Sequence, residues 1–224
     1  MIKLEKREFT PRTAVRWGII IMLIVTPFAF IADHLFDLPQ ESATTNSIRS
    51  GFGEIKITSA QIDNLNKDFI YTDYDLGFQV VRPNENWEIH SISERMPSEK
   101  LDVLMTRGFI GGIYLEENHE KQFMISVVQI PDDDFDLDFF VRSQIAQLEM
   151  QTEVEVPIKQ ISLEKNWAIF AMKIPGENWN YGEQILFLKD GKLFMLQYSG
   201  PSPDRTSNEK KLEYLTIIDS FHAL

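Results

Sequence analysis

The segment Lys189-Asp190-Gly191-Lys192 constrains the fold more than any other. Asp-Gly between two apolar runs marks a two-residue turn whose central residues both take positive φ, and such a turn joins antiparallel strands. The runs on either side, Tyr181 to Leu188 and Lys192 to Ser199, are therefore predicted strands. Earlier segments repeat the theme. Phe69–Thr72 and Phe78–Arg82 flank the turn Asp73–Gly77, and Trp87–Ile92 alternates apolar with polar. Gly111–Glu116 and Phe123–Ile130 pair around Asn118-His119-Glu120, with Pro131 ending the second. Val154–Ile161 and Asn166–Ile174 complete the strands, while residues 93–109 read as a loop with some local helix.

Two segments change period. In Asp136–Gln151 the residues Leu137, Phe140, Val141, Ile145 and Leu148 recur at helical spacing. Acidic residues crowd its start, where the helix dipole favours them. Thr206-Ser207-Asn208-Glu209 reads as a capping box. It opens a helix predicted to carry Leu212, Leu215, Ile218 and Phe221 on one face and to run to the C-terminus. Hairpins dominate and two amphipathic helices remain to cover sheet faces, so the expected class is α+β with a mainly antiparallel sheet.

The N-terminus is a different object. The chain of 224 residues has a formal charge of −12. Residues 1–16 carry +3, leaving −15 on the remainder, and Trp17–Ala32 between them holds sixteen residues without a charge. As a helix that run spans about 24 Å. Ala14 and Val15, with Arg16 reaching toward the headgroups, extend it to about 28 Å, close to a bilayer core of about 30 Å. The reading is one N-terminal transmembrane helix with the basic flank kept cytoplasmic, which makes the protein single-pass with an extracytoplasmic C-terminal domain. A cleaved signal peptide competes, although a cut after Ala32 sets bulky Phe30 at −3. The chain then divides into a flank (1–16), an anchor (17–32), a linker rich in small polar residues (33–68) and a globular domain (69–224).

Residues 71–87, Tyr-Thr-Asp-Tyr-Asp-Leu-Gly-Phe-Gln-Val-Val-Arg-Pro-Asn-Glu-Asn-Trp, resemble the opening hairpin of PsbP-like domains. Gly191–Tyr198, a polar loop, a helix and Ile217-Ile-Asp-Ser-Phe221 look like that family's last strand and helix. The resemblance covers the chain from about Phe69 to the end. It implies an α/β/α sandwich around an antiparallel sheet, and binding and assembly rather than catalysis. The best-known members are extrinsic, lumen-side subunits of photosystem II. This chain lacks a two-part plastid transit sequence and a basic arm ahead of the domain, and the resemblance assigns no functional residues to it.

Composition excludes much chemistry. There is no cysteine, hence no disulfide framework, no thiolate metal site and no cysteine nucleophile. The acidic balance does not suit a nucleic-acid binder, so no nucleic-acid partner is expected. Asp132, Asp134 and Asp136 alternate as in a calcium loop. The register fails, because position six falls on Leu137 and position twelve on Ser143. A solvated loop leading into a helix cap competes with weak calcium binding there; no other cofactor is expected. His34, His90, His119 and His222 share no metal-ligand spacing, although a spatial site joining His90 or His119 to distant acids stays open. Gly108–Gly112 lacks a phosphate-binding lysine, and no Gly-x-Ser-x-Gly elbow occurs. Trp87 and Trp167 read as core, and Trp179 and Tyr181 as an exposed aromatic turn suited to an interface.

The expected function is a membrane-anchored, non-catalytic module that binds a protein partner or stabilises an assembly outside the cytoplasm. The alternative is a divalent-metal or small-solute binding domain using the 132–138 carboxylates. A hydrolase with a dispersed site is the third reading.

Overall fold

The computed structural model describes residues 48–55, 69–118, 120–130, 135–152, 156, 158–162, 166–173 and 181–224. The segment 17–32 lies outside these. Among the described residues no helix is long and apolar enough to cross a membrane.

The central element is a seven-stranded sheet, antiparallel at every step. Its strands are β5 (Trp87–Ser91), β6 (Phe109–Glu117), β7 (Glu120–Gln129), β8 (Ile158–Ser162), β9 (Trp167–Lys173), β10 (Tyr181–Lys189) and β11 (Lys192–Gly200). They lie in the order β5-β6-β7-β11-β10-β9-β8. The expected tight turn joins β10 to β11: Asp190 and Gly191 sit at φ 51° and 70°, as a turn with two left-handed residues requires. Successive side chains along a strand point to opposite faces. Phe123, Ile125 and Val127 on β7 and Phe194, Leu196 and Tyr198 on β11 share one face. Leu193 and Met195 on β11 serve the other.

The first face is covered by three pieces. A three-stranded sheet places β4 (Phe78–Val81) between β3 (Ile70–Asp73) and β12 (His222–Ala223). Helix α4 (Asn208–Ser220) adds Tyr214, Ile217 and Ile218, and the hairpin β1 (Ile48–Ser50) to β2 (Gly53–Ile55) adds Phe52 and Ile55. On the second face α3 (Leu137–Thr152) packs against β9, β10 and β11. The short helices α1 (Ile92–Arg95) and α2 (Ser98–Met105) close over β6 and β7, in the stretch read as loop with some local helix, except that Ile92, read as the end of a strand, opens α1. The five apolar residues predicted for α3, Leu137, Phe140, Val141, Ile145 and Leu148, are all buried. Each such side chain contributes about 1.5–3 kcal/mol of transfer free energy, an upper range because the unfolded chain is not fully extended. Mixed α/β architecture with a mainly antiparallel sheet is thus observed.

Three expectations need correction. Residues 48–55 fall within the stretch read as linker, yet they form a hairpin whose Phe52 enters the main core. Their small, polar composition hid a single aromatic anchor. Helix α4 is capped by Ser207, whose hydroxyl accepts from the Lys210 amide, so the cap lies one residue beyond Thr206. Of the four residues predicted for one face, Ile218 and Phe221 are buried and Leu215 packs half-buried against the core, while Leu212 is 66% exposed; Tyr214 and Ile217 complete the buried face. Finally, the helix stops at Ser220 rather than running to the end. Phe221 takes extended φ and ψ, and His222 and Ala223 pair with Gln79 and Phe78 on β4.

Candidate functional site

The most elaborate polar arrangement among the described residues forms where the hairpin meets the central sheet. Tyr181 and Glu183 are two apart on β10 and so share a face; Tyr198 on β11 lies directly opposite Glu183. That face is the covered one, and Glu183 is only 4% exposed. A carboxylate so placed demands hydrogen bonds. The Tyr181 hydroxyl donates to it at 2.9 Å. The hairpin supplies more: the Gly51 amide donates to both carboxylate oxygens at 3.0 Å, and the Ser50 hydroxyl donates at 3.2 Å. The Ser50 hydroxyl in turn accepts from the Phe52 amide at 3.1 Å. A Cβ at position 51 would lie 2.2 Å from the Tyr181 hydroxyl oxygen, so a larger residue there must displace the tyrosine or the turn.

Phe52 follows these donors into an aromatic box. Its ring meets Tyr198, Tyr214 and Tyr181 edge-on, with centroids 4.8, 5.1 and 6.0 Å away. Edge-to-face geometry sets positive ring edges against negative ring faces and adds about 0.5–1.5 kcal/mol per pair beyond buried area. Burial, reinforced for Tyr181 by the Glu183 charge and for Tyr198 by Tyr214, pushes both phenols far above their ordinary range. They stay protonated.

A charged network adjoins the box. The Lys210 ammonium pairs with Glu117 and, at 2.6 Å, with Glu213. It also lies 5.9 Å from the centre of the Trp87 ring. Glu213 accepts from Trp87 Nε1 at 3.1 Å and from Asn84 at 2.9 Å, while Tyr214 donates to Gln122 at 2.6 Å. Burial alone lowers the Lys210 pKa, but the bonds to Glu117 and Glu213 outweigh it and raise it.

A second cluster brings His90 together with two acids. His90 Nε2 is 3.1 Å from Glu88, 3.9 Å from Glu116 and 3.1 Å from the Arg95 guanidinium. Arg95 also approaches Glu116 to 3.7 Å. The neighbouring hydroxyl, Ser91, is occupied as the cap of α1, accepting from the Ser93 amide.

The site residues read from the sequence fare differently. Asp132, Asp134 and Trp179 lie outside the described residues. Asp136 accepts from the Phe139 amide at 3.1 Å, which is the bond of a helix cap. Among the described residues no group of three or more His, Asp or Glu is arranged to hold a metal ion. Tyr181 is buried and bonded to Glu183, so its ring belongs to the core and not to an exposed turn. The residues the sequence reading missed are Ser50, Gly51, Phe52 and Glu183. Their one visible signal was an aromatic residue between two glycines, Gly51-Phe52-Gly53.

No family model and no curated protein matches the chain. Among solved structures the chain is similar to the solution structure of cyanobacterial PsbP (CyanoP) from Synechocystis sp. PCC 6803. The two share 16% identity over 69% of this chain and 91% of that chain, with a TM-score of 0.44.

Proposed function

We propose that this protein is a membrane-anchored, extracytoplasmic module that binds a protein partner or stabilises an assembly, without catalysing a reaction. The observation that carries the reading is the stretch 71–87, because the residues that resemble the PsbP-like opening are those the fold depends on. Gly77 turns at φ 81°, while Phe78 and Trp87 are completely buried. The anchor rests on the uncharged run 17–32 behind its +3 flank. The non-catalytic part of the reading is supported by Glu183, Glu213 and Asp136, whose carboxylates are engaged in bonds to hairpin, helix and cap.

The absence of cysteine makes the topology directly testable. A single cysteine placed at exposed Met150 (Met150→Cys) in the full chain reacts with a membrane-impermeant maleimide added to intact cells, and the labelled protein stays with membranes under alkaline carbonate. Labelling that appears only after lysis contradicts export; release by carbonate contradicts the anchor.

A further inference from the structure

The hairpin 48–55 is attached to the domain in an unusual way. Among the described residues it forms a two-stranded sheet of its own, with no ladder to either larger sheet. Its described polar attachment is the Glu183 carboxylate, gripped by the Ser50 hydroxyl and the Gly51 amide. Its apolar attachment centres on the Phe52 ring in the tyrosine box, with Ile55 beside it in the core. An isolated two-stranded hairpin is marginal in water at best. This one is therefore ordered because it is docked. The receiving surface has the features of a peptide-recognition site: a buried acceptor for main-chain N–H, an aromatic slot for one side chain, and a close approach at Gly51 where a Cβ would collide with the Tyr181 hydroxyl.

We propose that the groove formed by Glu183, Tyr181, Tyr198 and Tyr214 is a peptide-binding site that the chain's own Ser50-Gly51-Phe52 occupies in cis, and that a turn of a protein partner displaces it. The displacing turn must present a small hydroxyl residue, a glycine and an aromatic residue in that order. The hydroxyl and the glycine amide satisfy the carboxylate, and the ring refills the slot, so neither an unpaired buried charge nor an empty aromatic box is left at the end of the exchange. The hairpin holds the groove shut until such a turn arrives, because covalent linkage gives it a high effective concentration. This rests on the reading of the protein as a binding module and names the site and the ligand chemistry.

The test uses the chain's own sequence as the probe, a fluorescent peptide of residues 47–56, and full-length protein. Phe52→Ala in the protein removes the cis anchor and exposes the groove. The peptide then binds this variant at least about tenfold more tightly than wild type. A peptide carrying Gly51→Ala binds the variant at least about tenfold more weakly than the native peptide, because its methyl group collides with the Tyr181 hydroxyl. If the Phe52→Ala protein does not fold, Gly51→Ala in the protein displaces the hairpin with the ring retained, and the same two peptides are compared. Equal affinity for both peptides, or no binding to a folded variant, overturns the proposal. Loss of the fold in both variants also overturns it, since the hairpin is then a permanent part of the core. Because no natural partner is needed, a negative result here leaves the assembly reading standing, and failure to find a partner in membranes leaves this result standing.

Discussion

The Phe52 ring stands edge-on to the ring of Tyr198, with centroids 4.8 Å apart and planes at 82°. A residue from a stretch that reads as linker thus sits in the same core as the central strand β11, 146 positions further along the chain. That contact joins the hairpin 48–55 to the centre of the sheet, beside the helix α4.

The orientation of α4 separates two sets of substitutions. Ile217→Ala removes a completely buried side chain and costs about 2–5 kcal/mol in denaturant unfolding. Leu212→Ala, on the face the sequence pattern favoured, changes stability by less than about 0.5 kcal/mol. Comparable losses for the two contradict the observed orientation of the helix.

The caps of α3 and α4 are each held by one side-chain oxygen. Ser207→Ala and Asp136→Ala each lower stability by about 1 kcal/mol. For Asp136 the loss is the same in calcium and in chelator, because the carboxylate serves the helix. A loss seen only with calcium present assigns it to a metal site.

Much of this was legible in the sequence, for definite reasons. The period-2 runs around Asp190-Gly191 and the spacing of Leu137, Phe140, Val141, Ile145 and Leu148 are local signals, and local signals fix local structure. Phe52 was not legible because one aromatic residue among small polar ones has no period; only its distant partners on β10, β11 and α4 define its role. The cap of α4 was misplaced because Thr206 and Ser207 both offer a hydroxyl; the Ser207 hydroxyl accepts from the Lys210 amide, while the Thr206 hydroxyl donates to the Ser202 carbonyl. Glu183 was missed because an acid in an alternating strand ordinarily faces solvent. Both faces of this sheet are covered.

Alkaline pH weakens the fold over a defined window. Burial, then the neighbouring Asp73, raises the Tyr71 pKa to about 12; burial, then Glu116, does the same for Tyr114. The neutral phenol is favoured in the native state, so this contribution is intact below pH 10 and is lost as pH rises toward 12. Denaturation midpoints should fall across that interval, with tyrosinate absorbance appearing as the protein unfolds. Tyr114→Phe makes the decline shallower; an unchanged slope removes Tyr114 from the account.

One buried amide gives the opposite sign. Gln144 lies on α3 at 2% exposure, and neither its oxygen nor its nitrogen has a hydrogen-bond partner among the described residues. An unpaired buried polar group costs about 1–3 kcal/mol. Gln144→Met keeps the volume and removes the polar atoms, and it raises the denaturation midpoint by the equivalent of about 1 kcal/mol. A destabilised variant shows that the amide is paired in solution.

The central claim is that this domain works by holding a protein partner outside the cytoplasm. Its most direct test is chemical cross-linking of the affinity-tagged full chain in native membranes, followed by identification of the joined proteins. The account predicts one discrete partner, recovered reproducibly above an untagged control. Recovery of nothing above that control contradicts it.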